Sequence, residues 1–254
     1  MRILLTNDDG VRAEGMQVLR RIAAQLSDDV WVVAPDTEQS AASRGVSLHN
    51  PVMCRRLEER VYAVTGTPTD SVIVALKDVL VDHPPDLVLS GVNRGQNLAE
   101  DVTFSGTIAG ALQGMQMGVP SIALSLARGF QGARSLPWET AQAHAPQVIK
   151  DLLAKGWPEK VIISVNFPDR PIDGVKGVKV TRQGHRDFQM TGVDKRAHPR
   201  GGSYFWLTYG AKNYTPIPET DLRAIYDGYI SITPLHVDLT HQETLDNLAE
   251  TLNS

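Results

Sequence analysis

The chain has 254 residues, 42% of them hydrophobic and 21% charged, with a formal net charge of −4 and a single cysteine. These values exclude an intrinsically disordered chain, and no 18-residue apolar run exists to cross a membrane. A net negative charge gives no overall basic footprint for duplex nucleic acid, and one cysteine excludes an internal disulfide or a thiolate metal cluster.

Met1-Arg2-Ile3 enters an apolar run at once, leaving no room for a secretion signal, so a cytoplasmic location is expected. Ile3, Leu4 and Leu5 read as a buried strand that drives into Asn7-Asp8-Asp9-Gly10. Two carboxylates then stand where a strand leaves its sheet. Two unit charges about 4 Å apart repel by roughly 4 kcal/mol at an effective dielectric of ~20, and a bound divalent cation is the usual compensation. A turn at Asp9-Gly10 with Asp8 as a helix N-cap is the plainer alternative.

Met16, Leu19, Ile22, Ala23 and Leu26 then fall at helical spacing, and the run from Val30 to Pro35 is a second near-continuous apolar strand. Strand, helix and strand form one right-handed βαβ unit. The polar segment 36–50, with Ser40 and Ser43, leaves that strand at the carboxyl edge where Asp8 and Asp9 also lie, because parallel strands share a direction. Short strands are expected at 46–48, 52–55 and 61–64, with Cys54 as a small hydrophobe. Gly66-Thr67-Pro68-Thr69-Asp70 opens a helix running to Val79, Thr67 serving as N-cap and Pro68 as first residue.

The segment 86–90 is another buried strand, and Gly91-Val92-Asn93-Arg94-Gly95-Gln96-Asn97 leaves it as a third loop at the same edge. Ser105-Gly106-Thr107 opens a small-residue helix and offers free N–H groups, hydroxyls and a positive dipole end to an anion. Strands at 119–126 and 161–167 flank a helix at about 138–153. Such alternation indicates a doubly wound, Rossmann-like, mostly parallel sheet. From 184 to 218 glycine, proline, histidine and aromatics replace the periodic pattern, and 201–209 reads as a hairpin arm with exposed aromatic surface suited to a second subunit. A strand at 227–235 and a helix at 242–252 end a chain expected to form one domain, 1–254.

The three loops offer Asp8 and Asp9, Ser40 or Ser43, and Asn93 or Asn97. All are oxygen donors, which select Mg²⁺, Mn²⁺ or Ca²⁺ over zinc. Arg94 can offset phosphate charge. There is no Gly-x-x-x-x-Gly-Lys-Ser/Thr and no Gly-x-Gly-x-x-Gly after the first strand, so triphosphatase and dinucleotide readings lose support. The histidines are scattered, although His185 and His198 lie in the polar arm within reach of an active site.

Asn7-Asp8-Asp9-Gly10, Ala34-Pro35-Asp36 with Ser40-Ala41-Ala42-Ser43, Gly66-Thr67-Pro68-Thr69-Asp70, the 90–97 loop and Ser105-Gly106-Thr107 occur in one order that resembles the stationary-phase survival protein SurE family. The resemblance continues through Val180-Thr181-Arg182 to the strand ending at Leu235. It implies a metal-dependent phosphomonoesterase acting on nucleoside 5′- and 3′-monophosphates, with trimming of short polyphosphate in some members. By motif position, Asp8, Asp9, Ser40 and Asn93 would hold one divalent ion per subunit, Mg²⁺ or Mn²⁺. Asn97, Ser105, Gly106 and Thr107 would hold the phosphate, and Asp8 or Asp9 would move a proton. The resemblance also implies a homodimer or homotetramer built through the arm and the C-terminal segment. Glu14 stands where proline is common in the family, and Phe104 where tyrosine is common.

The competing class is a non-catalytic receiver-type module, in which an acidic pair binds Mg²⁺. It needs about half this length and an aspartate where this chain has the Ser90-Gly91-Val92-Asn93 loop. A haloacid-dehalogenase-like phosphatase would want Asp-x-Asp, which adjacent Asp8-Asp9 does not supply.

Overall fold

The first apolar run becomes β1 (Arg2–Thr6), buried almost throughout because it lies inside a nine-stranded sheet. The structure is a computed structural model describing residues 1–129, 136–186, 189–210 and 215–253. α1 (Glu14–Ala23) turns Met16, Leu19 and Ile22 inward and returns the chain to β2 (Asp29–Pro35), parallel to β1. β3 (Cys54–Glu58) is an exposed edge strand antiparallel to β4 (Val61–Val64), which runs parallel to β2.

α2 (Pro68–Val74) begins where the proline and cap residues require. Thr67 Oγ1 accepts the Asp70 N–H at 3.1 Å, and an Asp70 carboxyl oxygen accepts the Thr67 N–H at 2.9 Å, a reciprocal capping box. Ser47 adds two donors to the same carboxylate, its N–H at 3.0 Å and its hydroxyl at 2.7 Å, which ties the long loop to the helix start.

β5 (Leu87–Arg94), α3 (Gly106–Gln116), β6 (Ser121–Leu126), α4 (Trp138–Lys155) and β7 (Ile162–Phe167) complete the doubly wound unit. The strand order is β3-β4-β2-β1-β5-β6-β7, followed by two later strands, β8 (Val178–Val180) on the outer edge and β11 (Ile230–Leu235), antiparallel to β7. The chain proceeds from β1 toward β2 and β4 on one side, then returns to place β5 on the other side of β1. That reversal makes a crevice outside the carboxyl ends of β1 and β5, where such sheets bind ligands. Successive β1 side chains serve opposite layers: Ile3 and Leu5 pack with α1 and α4, and Leu4 with Val72, Leu76 and Val88.

β9 (Gln189–Ala197) and β10 (Ser203–Gly210) form a separate antiparallel pair, with α5 (Asp221–Asp227) and α6 (Gln242–Leu252) following in the chain. The segment read as a hairpin at 201–209 is one strand of this pair, its partner lying upstream. Of the expected 184–218 arm, residues 187–188 and 211–214 lie outside the described residues.

Three sequence expectations are corrected. Residues 46–48 form no strand, because Ser47 is drawn to Asp70 rather than to a neighbouring backbone. Cys54 is exposed on edge strand β3 rather than buried as a small hydrophobe. The loop expected from Gly91 begins only after Arg94, since β5 continues past an irregularity between Ser90 and Asn93. Gly91 sits there at φ +138°, and a Cβ would stand 2.2 Å from the Leu124 carbonyl oxygen.

Replacement of Asp70 by alanine removes the capping box and both Ser47 bonds. A loss of about 1–2 kcal/mol is expected, seen as a lower melting temperature by circular dichroism, whereas an unchanged melting point would show that the loop and helix start do not depend on this carboxylate.

Candidate active site

The crevice at the reversal of strand order holds Asp8 and Asp9 on the turn leaving β1. Asn7 shapes that turn: its side-chain amide donates to the Gly10 carbonyl at 3.0 Å and its oxygen accepts the Gly10 N–H at 3.2 Å. The two carboxylates are then held by different elements. Asp8 Oδ1 accepts a hydrogen bond from Thr107 Oγ1, in the first turn of α3, at 2.6 Å. Asp9 Oδ2 accepts the Arg94 N–H at the end of β5 at 3.2 Å. The loop after β2 joins them, the Gln39 N–H donating to the Asp8 carbonyl at 2.7 Å.

Asp8, Asp9, Ser40, Asn93, Asn97 and Ser105 line one cavity of about 650 Å³. Ser40 donates its hydroxyl to Glu38 at 2.8 Å, and Asn93 donates its amide nitrogen to the Gly95 carbonyl at 2.9 Å, leaving Asn93 Oδ1 as a further acceptor. Ser43, the other serine of that loop, donates to the Thr103 carbonyl at 2.7 Å and is not among the lining residues. Asn97 is buried and pinned through its neighbours: its amide donates to Ser125 Oγ at 2.9 Å, its N–H donates to Asn166 Oδ1 at 2.9 Å, and Asn166 returns a bond to its carbonyl at 3.1 Å.

Ser105 caps α3, its hydroxyl accepting the Ile108 N–H at 3.0 Å, so the positive end of that helix meets the cavity wall. Gly106 and Thr107 lie behind the wall rather than in it. Thr107 is fully buried with its hydroxyl on Asp8, and a Cβ on Gly106 would stand 2.6 Å from the Asp8 Cβ. Only glycine lets α3 begin so close to the carboxylate.

The sequence reading did not single out Glu38, Arg128, Glu100, Asp101 and Arg186, which also line the cavity. Arg128 was findable, since it follows β6 at the same sheet edge. Arg186 carried no periodic signal, yet its guanidinium reaches Asp101 at 2.6 Å and its N–H donates to Glu100 at 2.7 Å. His185 pairs with Glu100 at 3.0 Å, while His198 stays in the β9–β10 turn.

Burial pushes the Asp8 carboxyl up to about 6, the Thr107 bond opposing and the Asp9 charge adding to the effect. Burial also raises Asp9, with the Arg94 N–H partly offsetting it. Both carboxylates are held where their charge is disfavoured, a condition that a nearby cation reverses. Among the described residues no three His, Cys, Asp or Glu side chains gather to hold a metal. A cation here would therefore rest on two carboxylates completed by hydroxyl and amide oxygens, a set that fits a hard divalent ion.

The sequence model of the family described as survival protein SurE matches residues 3–190. The 5′-nucleotidase SurE of Caulobacter vibrioides (strain NA1000 / CB15N) is 56% identical over 249 residues, covering 98% of this chain and 95% of the relative. That of Hyphomonas neptunium is 53% identical over 254 residues and covers all of both chains. The crystal structure of SurE protein from Aquifex aeolicus superposes with a TM-score of 0.84 at 36% identity, covering 98% of this chain and 99% of that one.

The raised Asp8 group gives a pH signature in cation-free protein. Its folded-state pKa of about 6 exceeds the ordinary 3.8, so the folded form keeps a proton that the unfolded chain has lost. Stability should fall as pH rises from about 4 to about 6 and stay lower above that, by on the order of 2–3 kcal/mol. Asp8→Asn should melt higher than wild type at pH 8 in EDTA, the difference closing near pH 4; a lower melting point at pH 8 would contradict the assignment.

Proposed function

The chain belongs to the SurE family, and from that membership together with the donor chemistry of the cavity we propose that it is a divalent-cation-dependent phosphomonoesterase of nucleoside monophosphates. The observation that carries the reading is the pair of buried Asp8 and half-buried Asp9, each carboxylate's charge disfavoured by its surroundings and both opening on one oxygen-lined cavity. Relatives named 5′-nucleotidase support hydrolysis of 5′-monophosphates; action on 3′-monophosphates and short polyphosphate extends the same reading. A receiver-type module would need an aspartate to phosphorylate at the end of β5, where this chain has Ser90-Gly91-Val92-Asn93.

In this reading Asp8, Asp9, Ser40 and Asn93 hold one Mg²⁺ or Mn²⁺ ion. The bound ion supplies Lewis-acid stabilisation of the charge developing on the phosphoryl group. The chain's own residues do the rest. Ser105, Asn97 and the start of α3 receive the phosphate oxygens, and Arg94 and Arg128, which line the same cavity, offset their charge.

Gly106 contributes to that cradle by its smallness, which lets the start of α3 approach Asp8, and Thr107 by fixing Asp8 from behind the wall, so Thr107 acts as a positioning residue. Water attacks phosphorus in line with the ester oxygen. Its proton passes to Asp9, because Asp8 is the more deeply buried and already accepts from Thr107. The P–O bond to the nucleoside breaks, and the leaving oxygen departs as a hydroxyl after taking a proton from solvent water, to which Asp9 returns the proton it accepted.

Subunit pairing belongs to the same proposal. Phe205, Trp206 and Leu207 are exposed on β10, and Leu245, Leu248 and Leu252 on α6, surfaces that suit a homodimer or homotetramer. Among the described residues no helix is long and apolar enough to cross a membrane.

Phosphate release from adenosine 5′-monophosphate should vanish in EDTA and return with Mn²⁺ or Mg²⁺. Asp8→Asn should lower kcat by about a thousandfold at saturating metal, equivalent to several kcal/mol of transition-state stabilisation. Turnover that survives EDTA, or an Asp8→Asn variant within a few-fold of wild type, would overturn the reading.

A further inference from the structure

Beside the phosphate-receiving cavity lies a second one of about 760 Å³. Asp9, Glu38, Arg94 and Arg128 line both, so the two are continuous around the charged residues. Away from those shared walls the second cavity changes character. Ala13 and Gly15 at the start of α1, Leu136, and Trp138 at the start of α4 give it an apolar side.

Trp138 is half-buried and packs against the main core, which holds the indole in place. Gly15 makes that possible. A Cβ there would stand 2.0 Å from the Val92 carbonyl oxygen and 3.3 Å from the Trp138 ring atom Cη2, so α1, β5 and the indole meet only across a glycine. Glu14, exposed on the first turn of α1, lines the same cavity.

We infer that this second cavity receives the nucleoside part of the substrate, the base stacking against Trp138 and Glu14 accepting a hydrogen bond from the base or ribose. The inference rests on the phosphomonoesterase reading above and adds to it the place and chemistry of substrate selection. The phosphate cavity has Ala41 and exposed Phe104 as apolar lining among its charged, hydroxyl and amide groups, but no aromatic ring anchored in the core as Trp138 is. The neighbouring cavity offers an anchored aromatic ring, has the volume of ordinary small-ligand sites, and touches the reacting centre through Asp9. Stacking tolerates any base because every base presents a π-face. A subsite of this kind gives strong preference for nucleotides over bare sugar phosphates and weak preference among bases.

The test compares adenosine 5′-monophosphate with ribose 5-phosphate, which keeps the phosphate and sugar and lacks the base. Wild type should favour the nucleotide at least tenfold in kcat/KM. In Trp138→Ala that ratio should fall about tenfold, mainly through KM for the nucleotide, and Trp138→Phe should restore most of it. Should Trp138→Ala fail to fold, Trp138→Leu, which keeps the apolar packing without a π-face, carries the same expectation. Equal losses for both substrates, or an unchanged ratio, would make Trp138 a packing residue and overturn the subsite. Phosphate release from both with no preference in wild type would overturn it too while leaving the phosphomonoesterase reading intact. Release from neither, with Mn²⁺ or Mg²⁺ present, would remove both.

Discussion

The hydrogen bond from Thr107 to Asp8 is the interaction on which the rest of this site depends. It joins the end of the central strand to the start of α3 and fixes a buried carboxylate whose charge burial disfavours. A hydroxyl at 2.6 Å offsets part of the desolvation but not all of it, since the group stays well above its ordinary pKa. The cavity is thus built around an unresolved electrostatic demand. In the proposed function a cation answers it, and a phosphate ester brings the anion that such a cation attracts.

Tension of this kind needs a rigid frame, and the frame is the sheet. β1 has a parallel neighbour on each side, β2 and β5, so the turn after Thr6 has little freedom. Asp9 is tied to the end of β5 and the Asp8 carbonyl to the loop after β2. Asn97 is held from the far side by Ser125 on β6 and Asn166 on β7. Four consecutive strands of the parallel sheet therefore converge on one crevice, β1, β5, β6 and β7 each contributing a donor or acceptor. Reacting groups placed this way need little reorganisation when charge develops. Asp221 extends the support outward: buried at the start of α5, it accepts the N–H groups of Ala99 and Gly184 and so ties the later chain to the rim of the cavity.

Much of this was legible in the residues. Continuous apolar runs read as buried parallel strands, Thr67-Pro68 read as a helix start, and Asp8-Asp9, Ser40 or Ser43, and Asn93 or Asn97 read as oxygen donors at one edge because each loop follows such a strand. Where the reading failed, a long-range contact had overridden a local preference. Val46-Ser47-Leu48 has strand-like composition, but Ser47 bonds to Asp70. Gly91 suggests a turn, but its missing Cβ serves a close approach to β6. Arg186 sits in a segment with no period at all and still reaches the site, because Glu100 and Asp101 draw it there.

The sequence by itself determined most of the elements, the shared edge of their loops and the oxygen-donor character of the side chains gathered there, since these follow from local patterns of burial and from side-chain chemistry. It left open which serine of the 36–50 loop belongs to the cavity, and only the tertiary structure decided that: Ser40 lines it, and Ser43 turns to the Thr103 carbonyl. Strand order, which places β5 beside β1, brings the Arg94 N–H against Asp9 and lets α3 begin against Asp8. These are distances between residues up to about a hundred positions apart, and no local pattern encodes them.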